Sequence, residues 1–186
     1  KKDGDVKVAI IPFDTTVRIG TGYKDQPWFD VSCSALGNTS GCSASTWKNH
    51  WEGCVRDRTY PYDAQDDAPN VNTAATLFPI YDCGSLTSAM PLTYDWTALN
   101  SKIDQMTPNG NTNVTIGLVW GWHALTAGAP WSEAAVPAPG LDKVLIIAVQ
   151  NSVDYKHLGV ATSGTMLFRS LGGAQYLVDA LDLPIT

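Results

Sequence analysis

The stretch Gly110-Asn111-Thr112-Asn113-Val114-Thr115-Ile116-Gly117-Leu118 turns from polar turn formers into the start of an apolar run. Ile116, Val119, Trp120 and His123 then recur at helical spacing, so a helix is expected to begin after Thr112 and to bury one face. Gly117 and Gly121, four residues apart, leave room for a neighbouring element to approach that helix. Just upstream, Trp96, Leu99, Ile103 and Met106 repeat the i, i+3, i+4 pattern. Asp95 fits the N-cap of this earlier helix, and Pro108-Asn109-Gly110 its stop.

Further towards the amino terminus, Val6-Lys7-Val8-Ala9-Ile10-Ile11-Pro12-Phe13 begins with alternation and becomes continuously apolar, as a buried strand does. Pro12 suits the end of such a strand. Thr15-Thr16-Val17-Arg18-Ile19 alternates and can serve as a short hairpin partner. On the carboxyl side, Leu141 to Val149 is apolar throughout after Lys143 and reads as a central, parallel strand. Leu171 to Leu183 reads as a closing helix stopped by Pro184. The order strand, hairpin, helix, helix, strand, helix is that of an α/β layered sheet. Within this single domain of residues 1–186, residues 20–91 form a Cys- and Trp-rich insertion. Long structureless stretches are uncommon in compact domains, so the insertion is expected to be pinned by disulfides and by burial of Trp28, Trp47 and Trp51.

Composition narrows the function. Hydrophobic residues make up 44% and charged residues 16%, which excludes a long disordered tail, a collagen-like repeat and a coiled coil. The balance of 12 Lys+Arg against 18 Asp+Glu leaves a net charge of −6, a poor basis for binding nucleic acid or an anionic membrane. The longest apolar run, Val144 to Val149, is far shorter than a membrane helix, so no membrane insertion by this chain is expected. A polar start without an initiator Met reads as a processed or truncated chain.

Cys33, Cys42, Cys54 and Cys83 show none of the short C-x₂₋₄-C spacings of zinc sites. Two disulfides in an oxidising, extracytoplasmic compartment are the preferred reading over free buried thiols or metal ligands. Three connectivities are open; sequential pairing, Cys33–Cys42 and Cys54–Cys83, is favoured because it closes short local loops.

Enzyme motifs are missing: there is no G-x-S-x-G elbow, phosphate loop, H-E-x-x-H or C-x-x-C. His50, His123 and His157 sit in no ligand spacing, and His123, on an apolar helix face, reads as a packing residue. Asp63, Asp66 and Asp67 can offer oxygens to calcium, although such loops are usually just solvated. The tryptophans can stack sugars if exposed, with structural burial the preferred reading.

Four segments resemble the von Willebrand factor A-like region of TadG-type proteins of bacterial Tad/Flp pilus assembly systems. They are Val6 to Val17; Trp51-Glu52-Gly53-Cys54-Val55-Arg56-Asp57-Arg58; Pro91-Leu92-Thr93 with the helix to Met106; and Gly110-Asn111-Thr112-Asn113 running into Ile116-Gly117-Leu118-Val119-Trp120-Gly121-Trp122. The resemblance implies a von Willebrand factor A-like, Rossmann-like layered sheet carrying a disulfide-bearing insertion. It also implies a metal-ion-dependent adhesion site for Mg²⁺. Of that site only Thr112 matches: the Asp-x-Ser-x-Ser segment is absent, and the later Thr-Asp-Gly falls on Val149-Gln150-Asn151. Asp14, Thr112, Gln150 and Asn151 are therefore candidate binding residues around a degenerate metal site. No cofactor is expected, since one hydroxyl and an amide hold Mg²⁺ poorly.

The same resemblance places the missing first strand at the centre of the sheet. A second segment is then expected beside Val6 to Phe13 or Leu141 to Val149, from an upstream fragment or an identical subunit. The alternative is that Gly159 to Phe168 folds back to fill the gap. Together these features imply a non-enzymatic, protein-binding domain of a secreted or envelope-associated pilus or surface assembly, with a protein partner or self-assembly. A carbohydrate-binding or adhesin module using exposed tryptophans is the alternative.

Overall fold

The computed structural model describes residues 4–32, 47–107, 111–150, 163–171 and 174–178. These form two compact units, Lys1–Ala135 and Val136–Thr186. The architecture is mixed α and β, with two α-helices and three small sheets among the described residues.

In the first unit the strands are short. They are β1 (Val8–Ile10), β2 (Val17–Arg18), β3 (Phe29–Asp30), β4 (Cys54–Val55), β5 (Phe78–Tyr81) and β6 (Met90–Thr93). β1 pairs antiparallel with β6, so the expected first strand finds its neighbour some eighty residues on, with Val8 opposite Thr93. The expected hairpin partner contributes β2, which Phe13 meets only in an isolated bridge to Val17. β2 instead opens a second sheet of order β2-β4-β5-β3, in which β3 and β5 run parallel and the other pairs antiparallel. Three of its four strands come from residues 20–91, so the insertion builds part of the core.

Period-two alternation sorts the faces of this sheet. Phe78 and Ile80 of β5 are buried, as are their cross-strand partners Phe29 and Val55. Pro79 and Tyr81 point to the other face. Pro79 has no N–H to give, yet its carbonyl accepts from Arg56 N at 3.0 Å.

Two aromatic groups fill the inner side. Phe29 lies edge-on to Trp47 and Trp51, with ring centroids 5.7 and 4.8 Å away, and Trp51 Nε1 donates to the Cys54 carbonyl at 2.6 Å. Trp120 meets Phe78 at 4.8 Å and Trp131 at 5.2 Å. Trp47 and Trp51 are thus buried as expected, and Trp28 is half-buried against the same core.

The two expected helices are present. α1 spans Trp96–Asp104, with Asp95 as N-cap accepting from Ala98 N at 2.9 Å. It ends before Pro108-Asn109-Gly110, which lie outside the described residues. Of its apolar stripe only Leu99 is buried; Trp96, Ile103 and the following Met106 stay 46%, 52% and 41% exposed. α2 spans Val114–Leu125, capped by Asn113, whose side chain accepts from Thr115 N at 3.0 Å. Ile116, Val119, Trp120 and His123 are buried. Gly117 provides the expected close approach: a Cβ there would stand 2.5 Å from the Phe13 ring.

Cys54 and Cys83 form the second of the two expected disulfides, linking the start of β4 to the segment after β5. Cys33 and Cys42 lie outside the described residues. Closing a loop of 29 residues, Cys54–Cys83 is expected to contribute on the order of 2 to 4 kcal/mol. Urea unfolding of a Cys54→Ser/Cys83→Ser chain should show that loss in midpoint; an unchanged midpoint would mean that the packing around Trp51 holds the loop unaided.

The second unit corrects two expectations. Its strands are β7 (Lys143–Gln150), β8 (Ser163–Leu171) and β9 (Ala174–Val178), in the order β7-β8-β9 and antiparallel throughout. β7 is therefore terminal among the described strands, neither central nor parallel. Its exposure explains why: Leu145 and Ile147 are buried while Val144 and Ile146 are 44% and 63% exposed. Such one-sided burial is usual in antiparallel sheets. An unbroken apolar run does not by itself reveal it. Where the closing helix over Leu171 to Leu183 is expected, Ala174–Val178 form β9, paired antiparallel with β8; 179–183 lie outside the described residues. β8 gives β7 its neighbour from the carboxyl-terminal segment itself. This matches the fold-back alternative only in part: Ser163 to Phe168 lie beside β7, β1 finds its neighbour in β6 instead, and 159–162 lie outside the described residues.

Candidate functional site

The four sequence segments singled out above converge in the first unit. β1 of the first pairs with β6 of the third. Gly117 of the fourth packs on Phe13 of the first, and Asn113 N donates to the Asp14 carbonyl at 2.7 Å. Asn113 Nδ2 in turn donates to Asp57 Oδ2, in the second segment.

Their meeting point borders an open cleft of about 640 Å³. Its floor is the outer face of the four-stranded sheet, where Asp30 stands opposite Pro79 and Arg56 and Tyr81 lie beside them. Thr15, Thr59 and the Asp57–Asn113 pair form its rim. Arg56 lays its guanidinium over the Tyr81 ring, 4.8 Å from the centroid, a cation–π contact that keeps the group flat. Among the described residues Arg56 makes no ion pair. Of the nearby carboxylates, Asp30 Oδ1 accepts from Ser32 N at 2.9 Å, and Asp57 Oδ2 accepts from Asn113. Burial raises the Asp57 carboxyl above its ordinary range, the Asn113 hydrogen bond works against this, and the charge of Asp63 adds to it.

Arg58 has a different task. Only 4% exposed, it donates to the carbonyls of Asp67 at 2.6 Å, Gln65 at 2.5 Å and Thr76 at 3.3 Å, and it lies over the Phe78 ring. Burial lowers its pKa, while the charges of Asp67, Asp66 and Asp63 oppose the change. The acidic loop is thus wrapped around a buried cation, and Asp66 Oδ2 also accepts from Thr126 Oγ1 at 2.7 Å. Among the described residues no group of three His, Cys, Asp or Glu side chains is placed to hold a metal ion.

The other candidates fall as follows. Asp14 Oδ1 accepts from Thr16 N and Thr16 Oγ1, at 2.7 and 2.9 Å, and Thr112 is exposed at the entrance to α2. Asp14 and Thr112 therefore share one neighbourhood, next to the cleft. Gln150 ends β7 opposite Ser163, and Asn151 lies outside the described residues. His123 is 1% exposed, edge-on to Phe78 and Trp120, and neither ring nitrogen has a hydrogen-bond partner among the described residues. Its packing role is as expected.

Arg56, Tyr81 and Asp30 carried no role in the sequence reading. The available signal was Cys54-Val55-Arg56, alternation that sends Val55 inward and Arg56 out; which residues Arg56 would meet depends on strand pairing far along the chain. Compared with known proteins, the chain matches no protein-family model, no curated protein and no solved structure.

Proposed function

We propose that this chain is a non-enzymatic, extracytoplasmic protein-binding domain of a pilus or surface assembly, with the von Willebrand factor A-like character and degenerate metal site that the TadG-type resemblance implies. The state of the tryptophans carries this reading. Of seven, Trp47, Trp51, Trp120 and Trp131 are buried, Trp28 and Trp122 are half-buried, and Trp96 alone is 46% exposed. A sugar platform needs a row of accessible rings, whereas buried rings serve a scaffold. Three of the four matched segments meet at one cleft, through Thr15, Arg56 to Arg58 and Asn113, and the third pairs with the first through β1 and β6, which supports the resemblance. The Cys54–Cys83 disulfide supports an oxidising compartment, and no helix among the described residues is long and apolar enough to cross a membrane.

The non-enzymatic part rests on His123, which is sealed among aromatic rings with no hydrogen-bond partner among the described residues. His50 does not line the cleft, and His157 lies outside the described residues. Assembly is supported by the sheet ends. β1 and β7 each take one neighbour from the chain, β6 and β8, and each is terminal in its sheet among the described strands. Terminal strands are where another strand can add. Size-exclusion chromatography with light scattering tests the reading. A mass above that of the monomer, rising with concentration, is expected; a monodisperse monomer at every concentration, with no co-purifying peptide, overturns it.

A further inference from the structure

We propose that the cleft on the outer face of β3, β4 and β5 docks an Asp or Glu side chain from an extended segment of a protein partner, gripped by Arg56 on its Tyr81 platform. The inference rests on the protein-binding reading above and names the site that would serve it.

The donors in the cleft outnumber their committed acceptors. A guanidinium carries five N–H groups in a planar fork matched to a carboxylate. Arg56 spends none of them on an ion pair among the described residues, and stacking on Tyr81 fixes the plane in which they point. Thr15 and Thr59 add hydroxyl donors at the rim. Asp30 accepts a hydrogen bond from Ser32 N and Asp57 one from Asn113 Nδ2, and neither forms an ion pair with Arg56 among the described residues. These two acids still shape the ligand. They repel a run of consecutive carboxylates and favour one carboxylate beside a cationic side chain. Arg56 meets the first and Asp30 the second.

The form of the cleft selects the kind of ligand. At about 640 Å³ it exceeds what a lone carboxylate fills and suits a few residues of peptide. Capture of a chain terminus relies on clustered backbone N–H groups, whereas the donors here are side chains, which points to an internal acidic residue. A sugar acid is disfavoured because the Tyr81 face that a pyranose would stack on is already covered by Arg56.

Titration of the ¹⁵N-labelled full chain with acetyl-Gly-Glu-Lys-Gly-amide tests the assignment. Saturable shifts are expected at the Arg56 Nε–H and at the Ile80 and Tyr81 backbone amides. The Gln counterpart of the peptide should bind at least about tenfold more weakly, the scale of a lost charge-assisted hydrogen bond. Arg56→Met should show a similar loss while keeping the parent's melting temperature, and Arg56→Lys should recover part of it, having charge without the fork. Equal binding of the Gln peptide, undiminished binding by Arg56→Met, or no saturable shift overturns the inference. Glucuronate binding more tightly than the Glu peptide overturns it as well, in favour of a sugar acid. Light scattering on the same preparations keeps the two failures apart: a chain that assembles yet ignores the Glu peptide loses this site and keeps its function.

Discussion

Replacing Gly53 with alanine is expected to destabilise the first unit by about 3 to 5 kcal/mol, a sum of backbone strain and overpacking. Gly53 has φ of 99°, in a region that residues with a Cβ rarely adopt. The added Cβ would also stand 2.6 Å from the Cα and carbonyl carbon of Gly20, which are backbone atoms with no rotamer to yield. The approach is close because the Gly53 carbonyl accepts from both Ile19 N at 2.7 Å and Gly20 N at 3.2 Å, where β2 is laid against β4. Relief by backbone movement would pull on Trp51 and on the Cys54–Cys83 bridge. Gly22→Ala is the control: nothing lies within 4 Å of where its methyl group would stand, so its effect should stay within about 0.5 kcal/mol. Urea midpoints for the two variants, at unchanged slope, decide the matter. A Gly53→Ala loss no larger than that of Gly22→Ala would mean that β2 and β4 can part here at little cost.

The elements that were legible in the sequence are those whose signals are local. Asp95 and Asn113 announce α1 and α2 because an N-cap bonds within its own first turn. The buried face of α2 follows from spacing alone. The sheet β2-β4-β5-β3 was not legible. Its strands are two to four residues long, too short for a period, and they are held by pairings such as Val55 with Ile80. Burial of the apolar stripe on α1 was also beyond reach, since whether Ile103 meets a neighbour depends on what the tertiary structure brings to it. In the second unit, the apolar residues from Leu171 to Leu183 satisfied helical spacing, and nothing local told that pattern from the strand that Ala174–Val178 form.

The site divides along the same line. Thr112 could be singled out because it precedes a helix and matches a metal-site position in the resemblance, and Asp14 because it lies in a segment that carries the resemblance. Arg56 could not, for its value lies in Tyr81, a residue brought beside it by the β4–β5 register. Arg58, two residues on, has the same side chain and the opposite fate. It lines the same cleft but is 4% exposed, and its terminal nitrogens donate to three carbonyls of the loop that follows it, whereas Arg56 is the more accessible guanidinium.

Acid is expected to unfold the first unit largely through His123. Burial, aided by the Arg58 charge, lowers its pKa from 6.5 to about 3. The unfolded chain therefore takes up a proton that the folded chain refuses. The resulting sign is definite: the protonation-linked cost is absent well above pH 6.5, and stability falls as pH drops from there towards 3, at about 1.4 kcal/mol per pH unit. Asp57 acts in the opposite sense. Its raised pKa means that the folded state holds a proton more tightly, so its contribution grows as pH falls through that range. The two are separated by comparing the parent with His123→Phe at each pH, because Asp57 and the other carboxylates are common to both. The substitution keeps an aromatic ring against Phe78 and Trp120 and removes two buried nitrogens that have no hydrogen-bond partner among the described residues. At pH 7.5 the variant should be at least as stable as the parent, since an unpaired buried polar group carries a desolvation cost. At pH 5 it should be ahead by about 2 kcal/mol more than at pH 7.5. A difference between the two chains that does not change with pH would show that His123 accepts its proton in the folded state, and the aromatic seal around it would have to open to allow that.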